Sequence, residues 1–294
     1  MDTVFEECLE ALDNLDVSLY DVHSTSHTSE TPLETVDASR SQHGREVNIG
    51  NTQVTAEIVE GVEGAFIIRN VLSKEECAPL RKAVMDLHAS YLLKSKPRRS
   101  SQHHLPARVA QKALRGLCAR IRHVLPLLAG PTHKGALECE GEEISNFLRC
   151  YHYKKNDSSA PHYDRSFTQH AELKGPEHGR LLRFSAYSML LYLNDGFEGG
   201  NTTFFEKVDP ALIAGTGFTL ADESTRDQLM IAGHVAPQEG DVLIFPHGNH
   251  KGCHSNPFHE GSRLLKGEKI IIRTDIVYRA PPAKKKYKYQ NVNI

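Results

Sequence analysis

The chain has 294 residues, room for one large domain or two small ones. Its 39% hydrophobic and 24% charged content and its formal net charge of -2 are ordinary for a globular protein. That balance argues against nucleic acid or a membrane surface as the main partner. No apolar run approaches the ~20 residues of a membrane-spanning helix. The acidic start, MDTVFEECLEALDNLD, lacks the basic and apolar pattern of a secretory signal. Cys8, Cys77, Cys118, Cys139, Cys150 and Cys253 are dispersed without a CxxC pair, which fits free thiols in an intracellular protein, cytoplasmic or nuclear.

Residues 1–50 read as an N-terminal extension, disordered or weakly helical. Val4, Phe5, Cys8, Leu9, Leu12 and Leu15 recur at helical spacing, and a polar Ser/Thr-rich stretch follows. The main domain is expected over 51–280. AEIVEG and GAFIIRNVL are β-rich, and Ser73 with Glu76 spells a capping box ahead of a helix striped by Leu80, Val84 and Leu87. KSKPRRSSQHH reads as a basic loop. A second helix is expected from Pro106 to about Leu125, with Val109, Ala113, Leu117, Ile121 and Val124 inward. From Ile144 the texture turns to strands. NFLRCYHY (146–153) is the first long one, and QHAELKGPEHGR reads as a loop up to Arg180. FSAYSMLLYLN (184–194) suits a strand buried on both faces. DGFEGG turns into NTTFF, residues 206–236 look like an insertion, and VLIF is another buried strand. The last strand is expected over 268–278, and 281–294 is a basic tail. Several strands with helices mainly before them fit an α+β, mainly β class: a double-stranded β-helix, the jelly-roll or cupin-like barrel, with supporting N-terminal helices.

The stretch Pro161-His162-Tyr163-Asp164-Arg165 carries the chemistry. Residues two apart on an extended strand share a face, so one imidazole and one carboxylate converge. That is two-thirds of a 2-His-1-carboxylate triad, which leaves open coordination positions on a non-haem iron. The third ligand must come from a distant histidine. His259, just ahead of GEKIIIRTDIVYR, is the candidate, and His254 is its competitor. A short His-x-Asp alone specifies little. His247, His250 and His254 around Cys253 also raise a zinc site built on one loop.

Four blocks in order, His162-x-Asp164, LLYLNDGFEGGNTTFF, PQEGDVLIFPH and His259-EGSRLLKGEK, resemble the Fe(II)/2-oxoglutarate dioxygenases, in particular the prolyl 4-hydroxylase-like branch. The likeness covers roughly residues 60–280. It implies that His162, Asp164 and His259 bind Fe(II), that 2-oxoglutarate is the co-substrate and O2 the oxidant, and that ascorbate serves as reductant. No catalytic residue beyond the metal ligands is implied. In that family a basic residue ten positions after the distal histidine meets the far carboxylate of 2-oxoglutarate. Here it is Lys269, with Arg273 the alternative four residues on, whose bland reading is a salt bridge to Asp275. Tyr192 and Thr202 match positions that hydrogen-bond the same carboxylate, and Tyr153 has a counterpart near it. A buried dianion needs such a fixed cation.

The resemblance implies hydroxylation of an unactivated C–H bond, of a prolyl residue in a protein or peptide above all, with release of succinate and CO2. A carboxylate at position 164 argues against halogenation. Phe167, Tyr151 and Arg180 to Arg183 are candidates for the entrance. The rival readings are a small-molecule or lysyl hydroxylase, and a catalytically degenerate cupin-like binding or scaffold protein. Fold alone does not decide among these.

Overall fold

The apolar run at 184–194 belongs to the axis of a large antiparallel sheet. A computed structural model describes residues 7, 45–49, 52–94, 104–125, 128–129, 138–139, 141–172, 180–247 and 254–280. Strands β1 (Arg45–Ile49), β2 (Thr52–Ile58) and β3 (Phe66–Arg69) precede helix α1 (Lys74–Lys94). After β4 (His104–Arg108) come a 3-10 turn at Gln111–Leu114, helix α2 (Arg115–Ile121) and another 3-10 turn at Arg122–Val124. Then follow β5 (Gly141–Ile144), β6 (Phe147–Tyr153), β7 (Ser159–His162), β8 (Thr168–Glu172) and β9 (Arg180–Tyr192). The last strands are β10 (Thr202–Phe205), β11 (Ile231–Val235), β12 (Val242–Pro246), β13 (His259–Gly261) and β14 (Lys269–Ala280).

Ten strands form a major sheet in the order β1-β2-β3-β12-β9-β14-β6-β4, with β8 added beside β9 and β5 beside β14. Four form a minor sheet, β11-β10-β13-β7. Two sheets facing each other across an apolar interior are the double-stranded β-helix expected from the sequence.

Strand parity sorts the side chains. On β14, Ile270, Ile272 and Ile276 join a core shared with Leu80 and Val84 of α1 and Leu117 and Ile121 of α2. Ile271, one residue out of step, joins the barrel interior with Tyr153, Tyr192, Phe204 and Phe245. Lys269, Arg273 and Asp275 share its parity. On β9 the pairing with β14 shifts between Ser185 and Tyr187. Phe184 and Ala186 pack on the helix side, and after the shift so do Tyr187, Met189 and Leu191. The bulge therefore turns Leu190 and Tyr192 into the barrel.

The capping box forms as read: the Ser73 backbone N–H donates to Glu76 Oε2 at 2.8 Å, and the Glu76 N–H to Ser73 Oγ at 3.3 Å. Glu76 also accepts a fork from Arg120, at 2.9 and 2.7 Å, which ties α1 to α2. Gly240 has a φ of +87°, and a Cβ there would strike the Leu72 carbonyl. Only glycine suits that turn into β12. Cys77, Cys118 and Cys150 form no disulfide among the described residues, and burial pushes the thiols of Cys77 and Cys150 up to about 12.

Four expectations need correction. The helix placed from Pro106 is a strand at its start. Pro106 lies in β4, at the edge of the major sheet, where a missing N–H is tolerated. The helical part begins only at Gln111. Part of the loop read at 169–180 is strand β8, which pairs with β9. The end of the presumed insertion is β11, an edge of the minor sheet beside β10. The strand β1 lies in the stretch assigned to the extension and pairs with β2, so the sheet begins at Arg45. The amphipathic stretch at 4–15, the basic loop at 95–103 and the tail at 281–294 lie outside the described residues.

Ile272, 3% exposed at the middle of β14, should matter more to stability than the cap. Ile272→Ala is expected to cost about 2–5 kcal/mol. Ser73→Ala is expected to cost about 0.5–2 kcal/mol. Urea unfolding of the two variants beside the wild type checks the order, and a larger loss for Ser73→Ala would contradict this account of the core.

Candidate metal centre

The minor sheet brings the two histidines together. β7 and β13 are antiparallel neighbours, and His162 sits opposite His259. Their ring centroids are 4.4 Å apart. Beyond β7 the chain turns, and Asn256 Nδ2 donates to the Asp164 carbonyl at 2.8 Å. One ligand atom from each of His162, Asp164 and His259 lies within 4.8 Å of the other two, the only such group among the described residues. His162 Nε2 is 3.4 Å from Asp164 Oδ1, and His259 Nε2 is 3.7 Å from Oδ2.

Both imidazoles are set for ligation through Nε2. His162 Nδ1 meets the Ala160 carbonyl at 2.8 Å, and His259 Nδ1 meets the Pro257 carbonyl at 3.1 Å. A carbonyl only accepts, so Nδ1 carries the proton and the Nε2 lone pair is free. The sequence did not show which acceptors would do this. Each is the backbone two residues upstream. Burial, followed by the neighbouring His162, pushes His259 down to about 3, so its ring is neutral. Phe204 and Phe245 pack on that ring, with centroids 5.9 and 4.6 Å away.

Asp164 is 4% exposed. Burial alone would raise its pKa, but Arg273, His259 and His162 outweigh it and hold the carboxyl well below its ordinary range. Arg273 Nη2 lies 2.7 Å from Asp164 Oδ2, and the Ser188 hydroxyl donates to the same oxygen. Arg273 thus pairs with the carboxylate of the candidate triad, with Asp275 further off at 3.6 Å.

Lys269 is different. It is 3% exposed and makes no ion pair among the described residues. Its Nζ donates to the Gly200 carbonyl at 2.5 Å and lies 5.5 and 5.7 Å from the ring centres of Tyr153 and Tyr192. Burial lowers its pKa to about 7. Tyr192 and Thr202 hydrogen-bond each other, at 2.9 Å between their hydroxyl oxygens. Burying an ammonium without a counter-charge is costly.

A cavity of about 740 Å³ opens on His162 and Asp164, within the range of small-ligand sites. Tyr151, Tyr153, Tyr163 and Phe218 give it aromatic walls. Phe218 comes from the region read as an insertion. The Tyr163 N–H donates to the Phe218 carbonyl at 2.7 Å, the Leu220 N–H donates to Pro161 at 3.3 Å, and His162 bridges Thr219. On the other side Arg226 forks onto Glu260, at 3.1 and 2.6 Å, next to His259. The region is therefore a roof held by both metal-bearing strands, a role that its weak pattern does not announce.

The structure places the other candidates as follows. His254 is exposed and 3.1 Å from Glu63, away from the triad. His247 is fully buried, 3.9 Å from Asp275. His250 and Cys253 lie outside the described residues, so of the zinc-loop ligands only these two histidines are placed. Tyr151 lines the cavity, whereas Phe167 and Arg183 do not. Arg183 pairs instead with Glu143. The side chains of Arg180 to Leu182 lie outside the described residues. Arg273 and Ser188, whose hold on Asp164 depends on strand register, are the site residues whose roles sequence reasoning missed.

A jelly roll presenting two imidazoles through Nε2 and one buried carboxylate beside a cavity is the architecture of a mononuclear non-haem metal enzyme. No family model matches the chain. The probable prolyl 4-hydroxylase 8 of Arabidopsis thaliana is 24% identical over 275 residues, covering 86% of this chain and 83% of that protein. Among solved structures, the viral collagen prolyl hydroxylase of Paramecium Bursaria Chlorella virus-1 in its 2OG complex aligns with a TM-score of 0.41 and 14% identity. That alignment covers 76% of this chain and 97% of the viral one. A Pseudomonas putida prolyl-4-hydroxylase aligns at 0.38 and 15%, over 75% and 94%. The chain is thus similar to the prolyl 4-hydroxylase-like 2-oxoglutarate dioxygenases, as the four sequence blocks implied.

Replacing Lys269 with methionine should stabilise the ligand-free protein by about 1–4 kcal/mol at pH 7, because a buried charge without a partner is removed. The sign follows from the folded value of about 7 against the ordinary 10.5. The charged lysine disfavours folding fully below pH 7, and the cost fades as pH rises toward 10.5. Lys269→Met should therefore gain most at pH 6 and least at pH 10, by denaturant midpoint. A variant less stable than wild type at pH 6 would show that Lys269 has an anionic partner in the free protein.

Proposed function

We propose that this protein is an Fe(II)- and 2-oxoglutarate-dependent dioxygenase that hydroxylates a prolyl residue of a peptide or protein and releases succinate and CO2. The observation that carries the reading is the convergence of His162, Asp164 and His259, the first two lining a cavity, with a buried Lys269 that makes no ion pair among the described residues in the same barrel. The catalytic unit of this reading runs from β1 to β14, residues 45–280. Among the described residues, no helix is long and apolar enough to cross a membrane.

The donor set fits Fe(II): two imidazoles and one carboxylate, each oriented by a hydrogen bond. When bound, the iron with 2-oxoglutarate supplies the oxidising chemistry, and the protein supplies position and charge. His162 and His259 present Nε2 because their Nδ1 protons are held by backbone carbonyls. Lys269 is assigned to the far carboxylate of 2-oxoglutarate, with the hydroxyls of Tyr192 and Thr202 as additional donors. Phe204 and Phe245 keep water from the inner face of His259. Ascorbate is assigned as the reductant that keeps the metal ferrous.

The cavity supports a peptidyl substrate. Tyr151 and Tyr153 stack in parallel, with ring centroids 5.5 Å apart, and Tyr163 and Phe218 stand near them. Proline-rich segments in the polyproline II conformation dock against such aromatic walls.

Anaerobic addition of Fe(II) and 2-oxoglutarate should give the weak visible charge-transfer band of an Fe(II)–oxoacid chelate, absent in His259→Ala. No band in a folded wild type would leave a binding protein rather than an enzyme. The affinity for 2-oxoglutarate should also depend on pH. Lys269 is protonated below about 7 in the free protein, and a bound dianion favours the protonated form. Affinity should be highest below pH 7 and fall as pH rises above it, by up to about tenfold per unit. Titrations of the band at pH 6, 7 and 8 check this, and a flat profile would place the anion elsewhere.

A further inference from the structure

We infer that Arg273 and Ser188 together confine Asp164 to a single ligating oxygen, Oδ1, and so preserve a coordination position that the proposed reaction requires. The inference rests on the functional reading above and goes beyond it, because neither residue is a metal ligand or a co-substrate ligand in that reading.

The argument is one of saturation. Asp164 Oδ2 accepts from the Ser188 hydroxyl, from Arg273 Nη2 at 2.7 Å and from Arg273 Nε at 3.2 Å. Arg273 Nη2 also donates to Ser188 Oγ at 3.1 Å, which uses the hydroxyl's lone pair and directs its proton onto Oδ2. The three groups form a closed triangle inside the barrel. Oδ1 receives no donor from Arg273 or Ser188 and faces His162 Nε2 at 3.4 Å, while His259 Nε2 stands 3.7 Å from the already saturated Oδ2. Asn256 fixes the backbone of the same residue, so the carboxylate has little freedom to swing.

A buried lysine in place of Arg273 would not do the same. The guanidinium fork reaches Oδ2 and Ser188 Oγ at once and is backed by Asp275 Oδ1 at 3.6 Å. Asp275 is in turn 3.5 Å from Arg149. Charges therefore alternate along Asp164, Arg273, Asp275 and Arg149, which makes the guanidinium costly to displace. Carboxylates ligate through one oxygen or two. Two imidazoles and one oxygen leave three positions on an octahedral ion. A keto acid chelate takes two of them, and O2 needs the last. A second oxygen from Asp164 would occupy it. Arg273 and Ser188 are thus positioning residues, and the same arrangement occupies Arg273 so that it does not compete with Lys269 for the co-substrate.

The test uses Mn(II) alone, in the full chain, and counts exchangeable metal-bound waters by pulsed EPR in deuterated water. Wild type should hold Mn(II) with a water at each position the protein leaves open. Ser188→Ala, Arg273→Gln and the double variant should bind Mn(II) with one water fewer, the double variant completely and the single ones in part. Lysine at 273, which keeps charge but not the fork, should fall between. In Fe(II)–2-oxoglutarate complexes, nitric oxide, standing in for O2, should give its high-spin EPR signal with wild type and lose it in the double variant, while the charge-transfer band persists. If Arg273→Gln does not fold, Ser188→Ala alone decides. Equal water counts in all proteins would overturn the inference, as would a rise in the 2-oxoglutarate requirement of Arg273→Gln as large as that of Lys269→Ala. Failure of wild type to bind Mn(II) at the triad would instead remove the functional reading itself.

Discussion

The centre of this protein depends on keeping one largely buried carboxylate ionised. Asp164 is almost wholly buried, and burial by itself would raise its pKa. Arg273, drawn from the far sheet, prevents that, and the two histidines add to its effect. The interaction links the sheets: Asp164 follows a strand of the minor sheet, while Arg273 and Ser188 stand on adjacent strands of the major one. An ion pair of this kind adds little net stability, because the desolvation of both groups offsets their attraction. Its worth lies in orientation. It fixes which oxygen faces His162 and where the two sheets meet.

That arrangement is possible because the strands keep strict parity. β14 sends isoleucines to the helices and Lys269, Arg273 and Asp275 to the interior. β9 does the same only after the register shift near Ser185, which places Leu190 and Tyr192 inside. Without the extra residue, the parity set by Phe184 would turn Ser188 and Tyr192 toward the helices, and both the Asp164 triangle and the Tyr192–Thr202 pair would be lost. A bulge in a buried central strand is thus part of the site, although it lies several residues from any ligand.

Legibility followed range. His162 and Asp164, the Ser73–Glu76 box and the buried runs at 184–194 and 242–245 depend on spacing within one element, and spacing is what a sequence displays. His259 and Lys269 were reached by resemblance, since nothing local ties a distant histidine to His162. The bonding of Arg273 was not legible. It depends on which residue of β9 lies opposite, and a run buried on both faces hides its own parity. Pro106 misled because a proline that starts a helix and a proline on an edge strand look alike without the sheet. The roof was missed because its contacts to 161–163 and to Glu260 are isolated pairings that leave no periodic trace.

The roof also bears on how selectivity is built. Phe218 to Leu220 add to the strand that carries His162, and Arg226 grips the residue next to His259. In the proposed reading, the wall that would face the substrate and the residues that would hold the metal therefore share two short strands. A side chain lodged against Phe218 is positioned relative to the metal by very few intervening bonds, with little slack between recognition and chemistry. The arrangement has a cost in adaptability. Changes in the roof propagate to His162 and His259, so variation in substrate is easier through the cavity-lining side chains Tyr151, Tyr163 and Phe218 than through the length of the segment. The metal ligands stay fixed while the wall in front of them is free to vary.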